Sequence, residues 1–575
     1  MDNDISGRTT ENETGETIQS KLNINNIEMF DRQIRIWGEK GQELIQKSYL
    51  IIIGADRLGL ECAKSAAILG VGNIVLIDNK NYVPDKFLDF DITNTRVKSI
   101  AEIIKTALND GCNVEGLEAG LSELLLTPYA EKGDCTIIDV SNTPAKQALC
   151  YSFGKKYGIP VIVGAADKIQ GSISGYFPIT HHGEMHDNSS IVKCLDQYKG
   201  KEQGIIMSNI LAGILIEQYR KALFWKYERI FHEVRLCKKN GELKKNGEDI
   251  TYYNEFLEND YMPTKNLYYT INGDYQGNLF KNQNLEDQLR GKKALILGCG
   301  AIGNYLADML ARLDLERVDV VDLDKFVRHN KNRTPLAHDG EGRTKSVHIA
   351  EKINKISGRD ISSAIIGFVG EDLDERLLRK SGLNKNDITI LNAEWFESNK
   401  GEYNIIFGAF DNIEARYMTH KYAVRFGLNY IDGGSGGPIP NQCRAAIYVP
   451  RLTNCMKCNP NVTLTDGYVT FVKEMREQNE TMLRKAYYEN REVFEQHINT
   501  TRGYQCGEYN HGSINMVNQM IAGFMVGAAR IIFDKKIGEL VETISFNGQR
   551  DRIGVAKNEV ECRCHMAKNE VEYRC

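Results

Sequence analysis

The sequence predicts an α/β protein of two consecutive units, each a parallel sheet wound with helices, and three observations carry that reading. The opening of a unit occurs twice. The run Leu50 to Gly59 leads on to Val75-Leu76-Ile77-Asp78, and the run Ala294 to Gly303 leads on to Val320-Val321-Asp322. In both copies the first glycine and the aspartate stand 24 positions apart. The closing helix also repeats, Asn209-Ile210-Leu211-Ala212-Gly213 matching Gln519-Met520-Ile521-Ala522-Gly523. Finally, 575 residues exceed what one core fills, since cores stop growing near roughly 250 to 300 residues.

Residues 1–24 are rich in Asn, Thr, Glu and Gly and carry no aromatic side chain. They cannot bury enough apolar area to offset the entropy of ordering, and a disordered tail is expected. The first unit is placed at 25–225. From Met29 onward, apolar strand, glycine turn, apolar helix (Leu60 to Leu69) and strand succeed one another as a βαβ step. Further strands are expected at Cys135 to Asp139 and Pro160 to Gly164, and the helix Met207 to Phe224 closes the unit. The stretch 226–285, rich in Tyr, Asn, Lys and Glu without periodicity, reads as a linker or small insert. The second unit, 286–575, repeats the order with strands near 293–298, 318–322, 404–410 and 429–432, and with the helix Met516 to Phe533. The offset between copies is 244 at the glycine loops, 270 if Ser141 matches Asp411, and 310 at the closing helices. The last gain falls in an insert of about 455–515 that holds Cys455, Cys458 and Cys506.

With 72 basic and 77 acidic side chains, the net charge of −5 gives no electrostatic case for nucleic acid or an anionic membrane as a partner. No apolar run reaches the roughly 20 residues that cross a bilayer. The start, Met1-Asp2-Asn3-Asp4, lacks the basic and apolar regions of a signal peptide. A cytoplasmic or nuclear protein is expected, and its 14 cysteines then read as thiols, metal ligands or catalysts rather than disulfides.

A Gly-x-Gly-x-x-Gly turn lets backbone N–H groups approach phosphates at a helix N-terminus, and an acidic residue ending the next strand holds ribose hydroxyls. Gly298, Gly300, Gly303 and Asp322 satisfy this pattern. In the first copy Asp56 replaces the middle glycine and puts a carboxylate where phosphate would sit, so that copy should bind no nucleotide. After Asp322 come Asp324, Asn330, Asn332, Arg333, Gly342 and Lys345. Hydride transfer has no use for Asn, Arg and Lys converging on a triphosphate, whereas acyl adenylation must neutralise departing pyrophosphate. A dehydrogenase is accordingly a distant third reading.

The run Asp322-x-Asp324, Asn330-x-Asn332-Arg333, Gly342-x-x-Lys345 and Phe410-Asp411-Asn412-x-x-Ala415-Arg416 resembles the ThiF/MoeB and ubiquitin-like-protein activating enzyme superfamily, over nearly all of residues 29–565. The resemblance implies two Rossmann-like adenylation domains packed as a pseudo-dimer, inactive first and active second. It implies that Asp322 binds ribose, that Asn330, Arg333 and Lys345 contact phosphates, and that Asp411 holds Mg²⁺ in an ATP site. Thr334 departs from the family's usual Gln. Phe30-Asp31-Arg32-Gln33 is similar to the opening helix of the inactive partner, whose Arg reaches into the active ATP site like an arginine finger, so Arg32 is expected to complete the second half's site. Ser141-Asn142-Thr143-Pro144 follows the strand where the active copy has Asp411.

Cys455-x-x-Cys458 has the spacing of half a structural zinc site, and the tail supplies Cys562 and Cys564, with His565 or Cys575 as alternative fourth ligands. Cys506 lies shortly before the closing helix, where a helix N-terminus lowers a thiol pKa. In compact members of the family such a cysteine takes the acyl group as a thioester, and a buried or zinc-adjacent thiol is the other reading of Cys506. The implied partner is a ubiquitin-like protein, activated at its C-terminus, with a conjugating enzyme downstream as the less secure step. Two alternatives stand beside this: an adenylating enzyme for sulfur transfer or peptide modification without a thioester, and a non-catalytic scaffold.

Overall fold

The computed structural model describes residues 24–79, 95–109, 111–168, 171–177, 198–226, 269–270, 288–373, 382–435, 441–456, 458–459, 514–533, 540–548 and 552–557. The first half runs α1 (Ile24–Lys47), β1 (Tyr49–Ile53), α2 (Arg57–Leu69), β2 (Asn73–Ile77), α3 (Arg96–Ile103) and β3 (Asn113–Leu117). It continues with α4 (Glu123–Ala130), β4 (Cys135–Asp139), α5 (Pro144–Tyr157), β5 (Val161–Ala166), β6 (Gly171–Tyr176), α6 (Ile205–Lys226) and β7 (Tyr269–Thr270). The strand order is β3-β2-β1-β4-β5-β6-β7, parallel from β3 to β5 and antiparallel beyond. Leu50 to Ile53 are wholly buried, as a parallel strand covered on both faces demands. The edge strand Tyr269–Thr270 comes from the stretch read in the sequence as linker or insert.

The second half comprises β8 (Lys293–Leu297), α7 (Ala301–Leu310), β9 (Arg317–Val321), α8 (Lys345–Ser357), β10 (Ala364–Ile365), β11 (Gly367–Val369), β12 (Thr389–Leu391) and α9 (Ala393–Ser398). Then come β13 (Ile405–Gly408), α10 (Ile413–Phe426), β14 (Tyr430–Ser435), β15 (Gln442–Tyr448), α11 (Asn515–Phe533), β16 (Thr543–Asn547) and β17 (Arg552–Ala556). Its sheet is ordered β10-β9-β8-β13-β14-β15-β16-β17, and its first five strands are again parallel. Six strands of each sheet therefore occupy equivalent places in the same order.

The halves meet along α6 and α11, which are packed on each other. By length and composition α11 could cross a membrane, but its side chains are buried inside the protein. The α6–α11 crossing needs two glycines. A Cβ on Gly213 would stand 2.5 Å from Met520 Cγ and 2.7 Å from the Met516 carbonyl oxygen, and one on Gly523 2.5 Å from Ile210 Cγ1 and 3.5 Å from the Ile206 oxygen. Ile206, Ile210 and Gly213 are the counterparts of Met516, Met520 and Gly523 at the offset of 310, so each helix presents the same positions to the other. Asn209 and Gln519, also counterparts, are hydrogen-bonded at 3.1 Å. On α2 and α7 the counterparts are Lys64 and Asp308, and Lys64 Nζ meets Asp308 Oδ2 at 2.6 Å with Glu61 and Arg312 adjoining at 3.2 and 2.8 Å. Four buried charges pair in full, the condition under which burial of ions is tolerated.

Candidate active site

The glycine loop of the second half is built by its backbone. Gly298 N–H donates to the Val321 oxygen at 2.9 Å. Asp322 accepts from Cys299 N–H through Oδ2 and from Asp324 N–H through Oδ1, both at 2.8 Å. Gly300 is the N-cap of α7, with no side-chain cap and an ordinary φ of −73°. A Cβ added there would meet nothing within 4 Å. An open space thus borders the N-terminus of α7, where helix amides and the macrodipole favour an anion.

Basic groups of both halves gather at the Arg328–Arg333 turn and at the start of α8. The 3-10 turn Arg328–Arg333 packs against α1, which brings Arg32 of the first half to Arg333 of the second. Arg333 Nη1 donates to the His329 oxygen at 2.7 Å and to Asn332 Oδ1 at 3.1 Å. Burial and then the Arg32 charge push Arg333 down to about 9, against the pull of Asp31 and Asp411, so it stays charged at pH 7. Burial, Arg333 and Arg32 push His329 down to about 4, leaving it neutral. Lys345, the first residue of α8, lies 3.4 Å from Asp324. Burial alone would lower Lys345, but the carboxylates of Asp322, Asp324 and Asp411 outweigh it and raise the amine. Asn330 Oδ1 accepts from Val327 N–H at 3.0 Å, and Thr334 Oγ1 donates to the Asn330 oxygen at 2.7 Å. Thr334 therefore ties the turn carrying Asn330 and Arg333 in place.

Asp411 is exposed on the loop between β13 and α10. Its neighbours hold that loop. Asn412 Oδ1 caps α10 by accepting from Ala415 N–H at 2.7 Å. Arg416 donates to the Phe410 and Gly433 oxygens at 2.7 and 3.0 Å and pairs with Asp432 at 3.3 Å. The sequence pattern around Asp411 thus splits into one outward carboxylate and two residues that brace it.

The first half has the same loop, filled. Gly54 N–H donates to the Ile77 oxygen at 2.9 Å and Ala55 N–H to Asp78 Oδ2 at 2.8 Å, bond for bond as in the second half. An acidic residue at this strand end therefore serves the backbone in both copies and does not by itself mark a nucleotide site. Asp56 pairs with Arg96, the first residue of α3 and the counterpart of Lys345 on α8. Leu58 N–H, near the start of α2, donates to Gln203 Oε1 at 2.8 Å, and Gln203 Nε2 donates to the Val140 oxygen at 3.1 Å. Sequence reasoning passes over Arg96 and Gln203; a helix starting on Thr95-Arg96, as the other starts on Thr344-Lys345, is the available signal.

One sequence match needs correction. Ile53 pairs with Asp139 in the first sheet and Leu297 with Gly408 in the second, which sets the offset at 269 and makes Asn142, not Ser141, the counterpart of Asp411. The Asn142 amide is neutral, buried and spent on the Ala166 backbone, donating at 2.8 Å and accepting at 3.2 Å.

Cys455 is buried and Cys458 exposed, in a turn where Cys458 N–H donates to the Cys455 oxygen at 3.0 Å. Cys506, Cys562, Cys564, His565 and Cys575 lie outside the described residues. Among the described residues no group of three or more His, Cys, Asp or Glu side chains is placed to hold a metal ion, so the zinc site expected from the sequence is not seen there.

Two like α/β units, one whose glycine loop borders open space at Gly300 and the other whose loop carries the Asp56–Arg96 pair, define a tandem α/β protein with two unlike copies of one loop. The chain belongs to the ThiF family, whose model matches residues 30–215 and 275–564. It is similar to SUMO-activating enzyme subunit 1B-1 of Arabidopsis thaliana, 30% identical over 128 residues that make up 21% of this chain and 40% of that one. A ubiquitin-activating enzyme E1-like protein of Saccharomyces cerevisiae is 25% identical over 183 residues, 31% of this chain and 24% of that one. Ubiquitin-like modifier-activating enzyme 5 of Dictyostelium discoideum is 23% identical over 190 residues, 32% and 45% of the two chains. The matches thus span less than half the length of each of these relatives.

Proposed function

We propose that the second half adenylates the C-terminus of a ubiquitin-like protein or peptide with Mg-ATP. The observation that carries this is the contrast between the two loops: a Cβ on Gly300 meets nothing within 4 Å and the Asp411 carboxylate acts on Arg333 and Lys345, whereas in the first half Asp56 pairs with Arg96 and Gln203 binds the start of α2. The donor set fits a magnesium triphosphate. Asp411 would supply an exposed hard oxygen ligand, the α7 N-terminus and Lys345 would hold phosphate, and Arg333 with Arg32 would offset the charge that grows on pyrophosphate. The substrate carboxylate oxygen attacks the α-phosphorus, the bond from that phosphorus to the bridging oxygen breaks, and pyrophosphate leaves with the electron pair.

The names of the relatives support a ubiquitin-like protein as the substrate, and Cys506 would then accept the acyl group as a thioester, releasing AMP. The Cys455–Cys458 turn supports a zinc ion shared with Cys562 and Cys564. Pyrophosphate exchange into ATP, driven by a candidate ubiquitin-like protein and lost in Asp411→Ala, tests the adenylation. Equal exchange by wild type and Asp411→Ala would overturn it. A modifier adduct lost on reduction and absent in Cys506→Ala tests the thioester, and an adduct that survives reduction refutes it.

A further inference from the structure

Arg32 belongs to the first half but stands at the second half's site, so something must hold α1 at a fixed rotation. The residue beside it does so. Gln33 is wholly buried, and its Nε2 donates to the Leu69 oxygen at 2.9 Å and to Gln42 Oε1 at 3.0 Å. Gln42 Nε2 donates to the same Leu69 oxygen at 3.1 Å, and Trp37 Nε1 donates to Gln42 Oε1 at 3.1 Å. Leu69 is the last residue of α2, so its carbonyl is one of those a helix end leaves without an intrahelical partner. A kink at Gly38, with φ of 72°, separates the segment carrying Gln33 from the one carrying Gln42, and both reach one oxygen.

Adjacent helix positions differ by about 100° of rotation, so pinning Gln33 to the end of α2 fixes the direction in which Arg32 leaves α1. The Arg32 charge acts on His329 and Arg333 of the Arg328–Arg333 turn, against which α1 packs. We propose that Gln33, seated by Gln42 and Trp37 on the end of α2, is the positioning residue that aims Arg32 at the outer phosphates of a nucleotide held by the second half. The plugged half is then more than a relic, because its α2 is the fixed anchor from which Arg32 is aimed.

This inference rests on reading the second half as a triphosphate site, and its test separates the two. Mg-ATP and AMP are titrated calorimetrically into the full chain as wild type, Arg32→Ala, Gln33→Leu, and the double variant. AMP lacks the outer phosphates, so the ratio of the two affinities isolates the contribution of Arg32 from general damage. Losing a charge-assisted hydrogen bond should lower the ATP-to-AMP ratio in Arg32→Ala by about tenfold. Gln33→Leu should lower the same ratio, and the double variant should fall no further than Arg32→Ala. Trp37→Phe, which removes the donor to Gln42 along with part of a buried ring, should shift the ratio in the same direction and covers the case in which Gln33→Leu fails to fold. Equal losses for ATP and AMP in Gln33→Leu, or losses that add to those of Arg32→Ala, would overturn the positioning role while leaving the triphosphate site standing. An unchanged ratio in Arg32→Ala would overturn the assignment of Arg32 beneath it.

Discussion

Copying the plug of the first half into the second should abolish nucleotide binding without harming the fold. The substitution is Gly300→Asp. Gly300 has φ of −73°, which any residue adopts, and a Cβ there meets nothing within 4 Å. Gly300 is also the N-cap of α7, a position where Asp is favoured, so stability should change by only a few tenths of a kcal/mol, upward if at all. The new carboxylate would stand where phosphate is expected. Two unit charges about 4 Å apart at an effective dielectric of about 20 repel by about 4 kcal/mol, roughly a thousandfold in affinity. Lys345 stands ready to pair with it, as Arg96 pairs with Asp56. Calorimetric titration of Mg-ATP into wild type, Gly300→Asp and Gly300→Ala, with a thermal melt of each, reads both parts. Gly300→Ala adds a methyl group without charge, so the gap between the two variants isolates the electrostatic part of the loss. Binding by Gly300→Asp within tenfold of wild type, or an unfolded Gly300→Asp chain, would show the reasoning to be wrong.

Three further outcomes follow from charged side chains inside hydrogen-bond and ion-pair networks. Burial pushes Asp139 up to about 6 despite the hydrogen bonds from Ser141, so folding loses stability as pH rises from about 4, where the unfolded carboxyl ionises, to about 6, where the folded one does. Asp139→Asn should therefore raise stability by about 3 kcal/mol at pH 7.5 and by about half that at pH 5, measured by denaturant melts; an equal gain at both would refute the assignment. Lys64→Met leaves Glu61, Asp308 and Arg312 with an uncompensated buried negative charge and should cost about 3–5 kcal/mol, and a melt within 1 °C of wild type would contradict this. Arg416→Leu removes the two carbonyl bonds that brace the Asp411 loop and should weaken the magnesium dependence of ATP binding as well as stability; loss of stability alone would confine Arg416 to packing.

The sheets are legible in the sequence because their information is local. Apolar runs such as Leu50 to Ile53 and Ala294 to Leu297, each followed by a glycine turn, announce buried parallel strands wherever they occur. Arg333, Lys345 and Asp411 are singled out by spacing, and in the structure the Asp411 carboxylate acts on both cations. What stays hidden is long-range. Arg96 answers Asp56 from 40 positions away, Gln203 reaches Leu58 across 145, and no periodicity reports such pairs. Sequence spacing favours Ser141 over Asn142 as the counterpart of Asp411 because only strand register, which places Ile53 beside Asp139, resolves a shift of one residue. Tyr269 and Thr270 escape detection because a two-residue edge strand carries too few side chains for an alternation to show.

The pairing of Lys64 with Asp308 bears on how two such units can combine. Were two first halves to associate through this surface, lysine would face lysine, and in two second halves aspartate would face aspartate, each left with only the partner on its own helix, Glu61 or Arg312. The unlike combination adds the Lys64–Asp308 pair across the seam to the pair each helix already carries, so the joined chain is favoured over self-pairing of either unit.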